Sequence, residues 1–300
     1  MENNQLIPSF LNSLLEKQYG NELKEKIISG YLKKRVTSFR VNTIKTTDEY
    51  VLDILNKENI SYQKYDLIPH AYILNDIDAK ALYDNILVKE GLIYFQSLSS
   101  MLPPLFLPLI LNDTILDMAA APGGKTTEIA ALLNNKATIT ALEVNKIRCD
   151  RLRYNVNLQG AKSVFVMNQD AKKLDDFFSF DEILLDAPCS GSGTLDLNNP
   201  KAMKAFSYDL VKNSSILQEK LLRKALKVLK SNHEMIYSTC SILEMENEDV
   251  LNKVLKEANA KIVPIEMDGL ELLPTKIKGT ILVMPNEYYE GFFIAKIKKN

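Results

Sequence analysis

The sequence is poor in the residues from which metal centres and disulfide frameworks are made. Its 300 residues include three cysteines and two histidines, too few for a disulfide scaffold or a zinc site of the CxxC type, so no metal is expected. Net charge is lacking as well: 37 Lys and Arg stand against 38 Asp and Glu, a formal charge of -1. A polyanion would have to be held by a local patch and not by a global basic field. The one long apolar run, residues 101–110, is interrupted by Pro103, Pro104 and Pro108 and falls far short of the ~20 residues that span a bilayer. No membrane partner is expected. The opening Met1-Glu2-Asn3-Asn4 has neither the basic region nor the apolar stretch of a signal peptide, which predicts a cytoplasmic protein. What is present, 46% hydrophobic and 25% charged residues, is enough to bury a large core.

Punctuation divides the chain near residue 100, giving an N-terminal module over 1–100 and a larger domain over 101–300. In the first part Phe10, Leu11, Leu14, Leu15 and then Leu23, Ile27, Ile28 recur at helical spacing, with Ser9 or Asn21 as candidate caps. Val51, Leu52, Ile54 and Leu55 suit a further helix, and 62–67, 71–74 and 92–95 are short strand-like runs. A small α+β module follows from them. Beyond residue 113, apolar runs at 114–118, 138–142, 163–167, 183–185 and 235–237 alternate with helical patterns, which predicts a doubly wound α/β domain with a mostly parallel sheet. In the last of these helices Leu217, Leu221, Leu222, Ala225, Val228 and Leu229 form one apolar face, and Lys220, Arg223, Lys224, Lys227 and Lys230 read as a solvated one. Runs at 280–284 and 292–297 flank a turn-rich connection and predict a closing antiparallel hairpin.

The first strand of the larger domain runs into Ala119, Ala120, Ala121, Pro122, Gly123, Gly124 and Lys125, at the strand end where α/β sheets bind ligands. Gly-Lys-Thr suggests a phosphate-binding P-loop, but Ala119 stands where that motif needs glycine. Small residues still allow close approach to the backbone, and the helix that follows offers free N–H groups to a carboxylate or phosphate. Acidic residues mark successive strand ends: Asp117, Glu143, Asp170 and Asp186. Any one of them could cap the next helix. Four around one glycine loop favour a nucleoside ligand without a phosphate chain, and Glu143 is placed for two ribose hydroxyls. S-adenosylmethionine fits that description.

Two cysteines follow neighbouring strands. Cys189 lies in Asp186-Ala187-Pro188-Cys189-Ser190-Gly191 and Cys240 in Ser238-Thr239-Cys240-Ser241. Adjacent strands lie ~5 Å apart, so both thiols would reach one pocket. Free cysteines usually pack as small hydrophobes, but the Gly- and Ser-rich setting opposes that here. Cys149, inside a helical pattern, is read as core, and His70 and His233 as structural.

The ordered segments DMAAAPGGKTT, DAPCSGSGT and YSTCS, the last followed by Glu246-Asn247-Glu248, resemble the Nol1/Nop2/Sun family of RNA 5-methylcytosine methyltransferases. The resemblance covers about residues 30 to 300 and implies a Rossmann-like class I S-adenosylmethionine-dependent methyltransferase with a small RNA-recognition-like domain before it. It implies that Ala119 to Lys125 line the methionine end of the cofactor, that Glu143 holds the ribose and Asp170 the adenine, and that Asp186 lies beside both cofactor and base. Cytosine C5 is a weak nucleophile, so a thiolate must first add at C6. The family assigns that attack to the cysteine of Thr-Cys, here Cys240, and product release to Cys189, with Asp186 stabilising the charge that develops. DNA methyltransferases instead use a Pro-Cys nucleophile, which would be Cys189; their resemblance is poorer.

The chain departs from the family in two places. Gln96-Ser97 replaces the usual Gln-Asp, and Asp196-Leu197-Asn198-Asn199 stands where arginines are common. It stops at the hairpin, so no appended RNA-binding domain is expected. RNA contact is assigned to Lys33, Lys34, Arg35 and Arg40, with Lys146, Arg148, Arg151 and Arg153 as a second basic cluster. The expected partner is ribosomal RNA or tRNA, the expected state a monomer, and the alternative function a cofactor-binding RNA assembly factor without turnover.

Overall fold

A computed structural model describes residues 7–199, 203 and 205–300; Met1 to Asn4 lie outside them. Strands β1 (Thr37–Val41), β2 (Tyr62–Lys64), β3 (Ala71–Leu74) and β4 (Ile93–Phe95) form an antiparallel sheet in the order β2-β3-β1-β4. Phe39, Val41, Tyr72 and Leu74 pack with Val51 and Leu55 of helix α2 (Asp48–Lys57), while Ala71 and Ile73 face the core of the larger domain. The N-terminal helix α1 (Ser9–Leu32) stands apart from this sheet: Leu11, Leu15, Ile27, Ile28 and Tyr31 share a core with the large sheet. Neither expected cap operates, because Pro8 takes the N-cap position and the helix runs past Asn21 with a kink at Gly20, whose φ is 73°. After the four-residue turn α3 (Ile86–Lys89), α4 (Leu98–Leu105) starts at Ser97, whose hydroxyl accepts from the Ser100 N–H at 3.4 Å.

The large sheet contains β5 (Thr114–Asp117), β6 (Thr138–Leu142), β7 (Val164–Met167), β8 (Phe180–Asp186), β9 (Leu229–Thr239), β10 (Ala260–Val263), β11 (Ile281–Val283) and β12 (Phe292–Lys299). Its order is β10-β12-β9-β8-β5-β6-β7, with β11 paired to β12 in the expected hairpin. Strands β5 to β9 are parallel and β12 runs antiparallel to β9. Alternate residues face opposite ways along a strand. Thus Leu116, Ile183, Leu185, Met235 and Tyr237 face the core under α1, α7 (Tyr208–Val228) and α8 (Glu248–Leu255), whereas Ile115, Leu184 and Ile236 face α4, α5 (Gly124–Leu132) and α6 (Lys146–Leu158). Two of the α7 lysines, Lys224 and Lys227, reach Asp176; the helix ends at Val228, so Leu229 and Lys230, expected on its faces, open β9 instead, where Lys230 reaches Asp181 at 2.6 Å. Among the described residues no helix is long and apolar enough to cross a membrane.

Helix α1 meets the large domain through Gly30, where an added Cβ would collide with the Pro285 carbonyl. Alanine normally improves a helix by about 0.5–1 kcal/mol over glycine, but the collision demands a backbone shift that outweighs it. Gly30→Ala should therefore destabilise the protein by about 1–3 kcal/mol, seen as a lower midpoint in thermal unfolding. A raised midpoint would mean that α1 does not dock as described.

Candidate active site

The site is assembled at the carboxyl ends of β5, β6, β8 and β9. Past β5 the chain turns through Ala119 to Gly123, whose φ of 110° only glycine adopts readily, and enters α5. Asp117 at the end of β5 is buried and accepts from the Thr126 hydroxyl at 2.6 Å. Burial pushes its pKa up to about 6, against the pull of that hydrogen bond. Lys125, on the first turn of α5, reaches Asp186 at 2.8 Å, donates to the Ser100 hydroxyl at 2.6 Å and lies over the Phe292 ring. Burial works to lower its pKa, but the Asp186 carboxylate outweighs it and the net shift is upward, so Lys125 stays charged. Asp186 also accepts from the Ser238 hydroxyl at 2.8 Å.

Two cavities meet at Ala119. One, of about 230 Å³, is lined by Ala119 to Pro122, Gly124, Lys125, Asp117 and Asp186 together with Tyr94 and Gln96. The other, of about 130 Å³, is lined by Glu143, Arg148, Asp170 and Ala171. Glu143 is buried, accepts from the Asn145 N–H at 2.8 Å and lies 3.5 Å from Arg148. Asp170 caps the turn after β7 through the Lys172 N–H at 3.0 Å. Carboxylates in the second cavity and small residues with backbone N–H groups in the first match a nucleoside bearing an amino-acid tail. The expected loop residues other than Gly123 line the first cavity together with Asp186, while Glu143 and Asp170 line the second, and Ala119 borders both.

Beyond it, Cys189 and Cys240 stand with their sulfurs 2.7 Å apart, both as free thiols. The hydrogen bond to Cys240, burial and the Glu246 carboxylate push the Cys189 thiol up. Cys149 is buried in α6 as expected, and His70 pairs with Asp48 at 2.6 Å. One expected residue does not belong to a nucleic-acid surface. Arg40 is 4% exposed and donates to Gln96, Thr127 and the Gly124 carbonyl at 3.1, 2.6 and 3.1 Å, so it braces the glycine loop and cannot meet a phosphate. Lys33 and Lys34 are exposed and, with Arg35, border a cleft of about 400 Å³ beside Thr194, Asp196 and Glu290. The second basic cluster is partly engaged, with Arg148 bonded to the Ala121 carbonyl at 2.9 Å and Arg153 to Asp150 at 3.0 Å. Sequence reasoning missed Ser100, Ser238 and Phe292, whose only signal is position beside strand ends and motifs.

The fold is that of the class I S-adenosylmethionine-dependent methyltransferases. A solved methyltransferase homolog from Pyrococcus horikoshii shares 31% identity, with a TM-score of 0.85 over 99% of this chain and 97% of that one. NSun6 from the same organism, at 24% identity and TM-score 0.87 over 98% of each chain, has the same fold. The family model described as 16S rRNA methyltransferase RsmB/F matches residues 104–298, and an RsmF/B-like ferredoxin-like domain matches 7–78. The chain belongs to that RsmB/F family, within the Nol1/Nop2/Sun group that its motifs resemble. Ribosomal RNA small subunit methyltransferase F of Shewanella loihica is 33% identical over 98% of this chain and 63% of its own length; the chain spans just under two thirds of that curated relative.

Behind the glycine loop, Gln96 joins Arg40 to Glu128, donating to the latter at 2.7 Å. Burial pushes the Glu128 pKa up to about 7, against the pull of Arg40. The folded state therefore holds this proton at pH values where the unfolded chain, titrating near 4.3, has lost it. Stability from this group falls as pH rises from about 4.5 through 7, by about 2 kcal/mol between pH 5 and pH 8. Urea unfolding at those two pH values should show a fall in wild type that is smaller by about that amount in Glu128→Gln. Equal falls would place the titration elsewhere.

Proposed function

We propose that the protein transfers a methyl group from S-adenosylmethionine to C5 of a cytosine in ribosomal RNA, through a covalent bond between Cys240 and C6 of the base. The observation that carries the reading is the pair of free thiols in contact at the ends of β8 and β9, beside the Lys125–Asp186 pair. Ala119 to Lys125, Glu143 and Asp170 would hold the cofactor, which when bound supplies an electrophilic methyl group. Cys189 is held protonated by its hydrogen bond to Cys240 and by burial, and the attack on C6 falls to Cys240. As the Cys240 sulfur adds, charge moves onto the ring, and the Lys125–Asp186 pair stabilises it by donating or sharing a proton at N3. Once C5 carries the methyl group, a water, or Cys189 after losing its own proton to solvent, takes the C5 proton, and N3 returns its proton to the Lys125–Asp186 pair. The C5=C6 bond reforms and the C6–S bond breaks, returning its electron pair to Cys240.

Support for ribosomal RNA comes from the family and from the relative named above; the same chemistry would serve tRNA. Labelled S-adenosylmethionine with separate ribosomal RNA and tRNA pools, followed by mapping of the methylated base, tests substrate and activity together. Label is expected in the ribosomal pool as 5-methylcytosine. Its absence from both pools would favour a binding role without turnover.

The two thiols should separate in their effects. Cys240→Ala should reduce methylation by at least roughly 1,000-fold, because the nucleophile is gone. Cys189→Ala should instead accumulate an enzyme–RNA adduct that survives denaturing electrophoresis. An adduct with Cys240→Ala in place of Cys189→Ala would reverse the assignment.

The Lys33, Lys34 and Arg35 cleft is assigned to the RNA backbone. Neutralising all three should weaken RNA binding and flatten its salt dependence by about 0.7 in log–log slope per lost phosphate contact. Unchanged affinity and slope in filter binding across a salt series would remove the cleft from the RNA path.

A further inference from the structure

Glu246 lies in the short turn between β9 and α8 and is 0% exposed. Its carboxylate accepts three short hydrogen bonds from two loops distant in sequence, and a longer one at 3.5 Å from the Gln218 side chain of α7. Oε1 takes the Ser190 N–H at 2.7 Å, and Oε2 takes the hydroxyls of Ser190 and Ser241, both at 2.6 Å. Ser190 follows Cys189 and Ser241 follows Cys240. One carboxylate therefore grips the residue next to each thiol. The grip is itself braced: the Tyr237 hydroxyl donates to the Glu246 carbonyl at 2.6 Å, Asn247 donates to the Ser241 carbonyl at 2.8 Å, and the Ser192 and Ser241 hydroxyls lie 2.8 Å apart.

A buried carboxylate costs several kcal/mol in desolvation unless its lone pairs are filled. Burial accordingly pushes the Glu246 pKa up, and the bonds from Ser190 and Ser241 pull it down. A hydrophobic residue would fill the space at no such cost, but could not hold both loops. Complete burial rules out contact with RNA or cofactor, so any part in the reaction is exerted through the cysteines. We propose that Glu246 is a positioning residue for the two-cysteine reaction, locking the Cys189 loop against the Cys240 turn so that release of the product keeps pace with methyl transfer. This inference rests on the roles given above to Cys189 and Cys240.

The groups that act on Cys189 are Cys240 and Glu246, which hold its proton on, and the Gly191 N–H, which opposes them; Tyr237 lies close enough to feel both Cys189 and Glu246. Glu246→Gln keeps the volume but presents an NH₂ donor where acceptors are required. With both loops loosened, turnover should fall by roughly 10- to 100-fold with the KM for RNA little changed, and a covalent enzyme–RNA adduct should accumulate as with Cys189→Ala. Independently of RNA, the pH midpoint for alkylation of Cys189 by iodoacetamide, read on its peptide by mass spectrometry, should move down by roughly 0.5–1 unit as the nearby charge is removed. Glu246→Asp, which keeps the charge, should retain the midpoint better than Glu246→Gln. Ser190→Ala deletes the hydroxyl bond to Glu246 and a 3.3 Å contact from the Ser192 N–H, leaves the Ser190 N–H bond to Glu246 in place, and serves if Glu246→Gln fails to fold; it should show the same adduct at smaller yield. Wild-type turnover and an unshifted Cys189 midpoint in Glu246→Gln would overturn the proposal, as would Ser190→Ala indistinguishable from wild type when Glu246→Gln is unfolded. If wild type makes no 5-methylcytosine, the two-cysteine reaction falls, while the alkylation midpoint still reports separately on the grip of Glu246.

Discussion

Strands β8 and β9 run parallel with Asp186 opposite Ser238, and the site is what that register leaves at their carboxyl ends. The pairing continues one bond further, from the Ala187 N–H to the Ser238 carbonyl at 2.8 Å, before the chains diverge. The Cys189 loop is then sewn back by the Gly193 N–H on the Cys240 carbonyl at 2.9 Å. A parallel pair needs a long crossover, and α7 supplies it; the same helix sends Gln218 to the Pro188 carbonyl at 2.9 Å. A slip of one residue would turn the side chains to the opposite face and move the thiols ~3.3 Å apart along the strands. The contact between Cys189 and Cys240 thus depends on sheet register, and the crossover helix that creates the register also pins one of the loops.

Charge inside the site is arranged on the same scaffold. Lys125 lies between Asp186 and Ser100, and Asp117 stands close enough to strengthen its charge. Perturbed titratable groups of this kind gather at functional sites. Arg40 performs a different task with the same type of charge. From β1 it crosses to α5 and bonds the first turn of the helix that carries Lys125. The small sheet is therefore hydrogen-bonded to the glycine loop, and a movement of that sheet would be felt at the cofactor cavity.

The strands were legible because alternation along them is strict: Ile115 and Leu116, or Leu184 and Leu185, divide between two cores, and short apolar runs record it. The strand-end carboxylates and thiols were legible because ligands bind there in α/β sheets. The length of β9 was not. It begins at Leu229 and passes through Ser231 to Glu234, polar residues of which Glu234 pairs with Lys298 of β12 and reaches Lys296 at 2.8 Å. Helix α1 showed an apolar face without showing which sheet it covers. Arg40 read as a surface cation because composition does not reveal that Gln96 and Thr127, far off in sequence, come to surround it. Glu246 was quoted in a motif with no role, since its role depends on Ser190, 56 residues away.

The loop after Cys189 shows how a chain of charge -1 can still gather cations in one place. Where arginines are expected, Leu195 and Leu197 are buried, the Leu197 N–H donates to the Tyr31 carbonyl at 3.1 Å, and Asn198 donates to the Leu32 carbonyl at 3.1 Å. Tyr31 in turn donates to the Ser192 carbonyl at 2.5 Å. The loop is given over to seating the end of α1, and the residues that follow that end are Lys33, Lys34 and Arg35. Positive charge is thereby supplied from the helix end instead of the loop, in a cleft that also contains Thr194. Screening limits exposed charges to about 10 Å, so where a cation stands matters more than the sum over the chain. Three hydrogen bonds to backbone carbonyls tie the end of α1 to the Cys189 loop, so the cluster keeps a fixed place beside that loop, with Asp196 and Glu290 as the nearest opposing charges in the cleft.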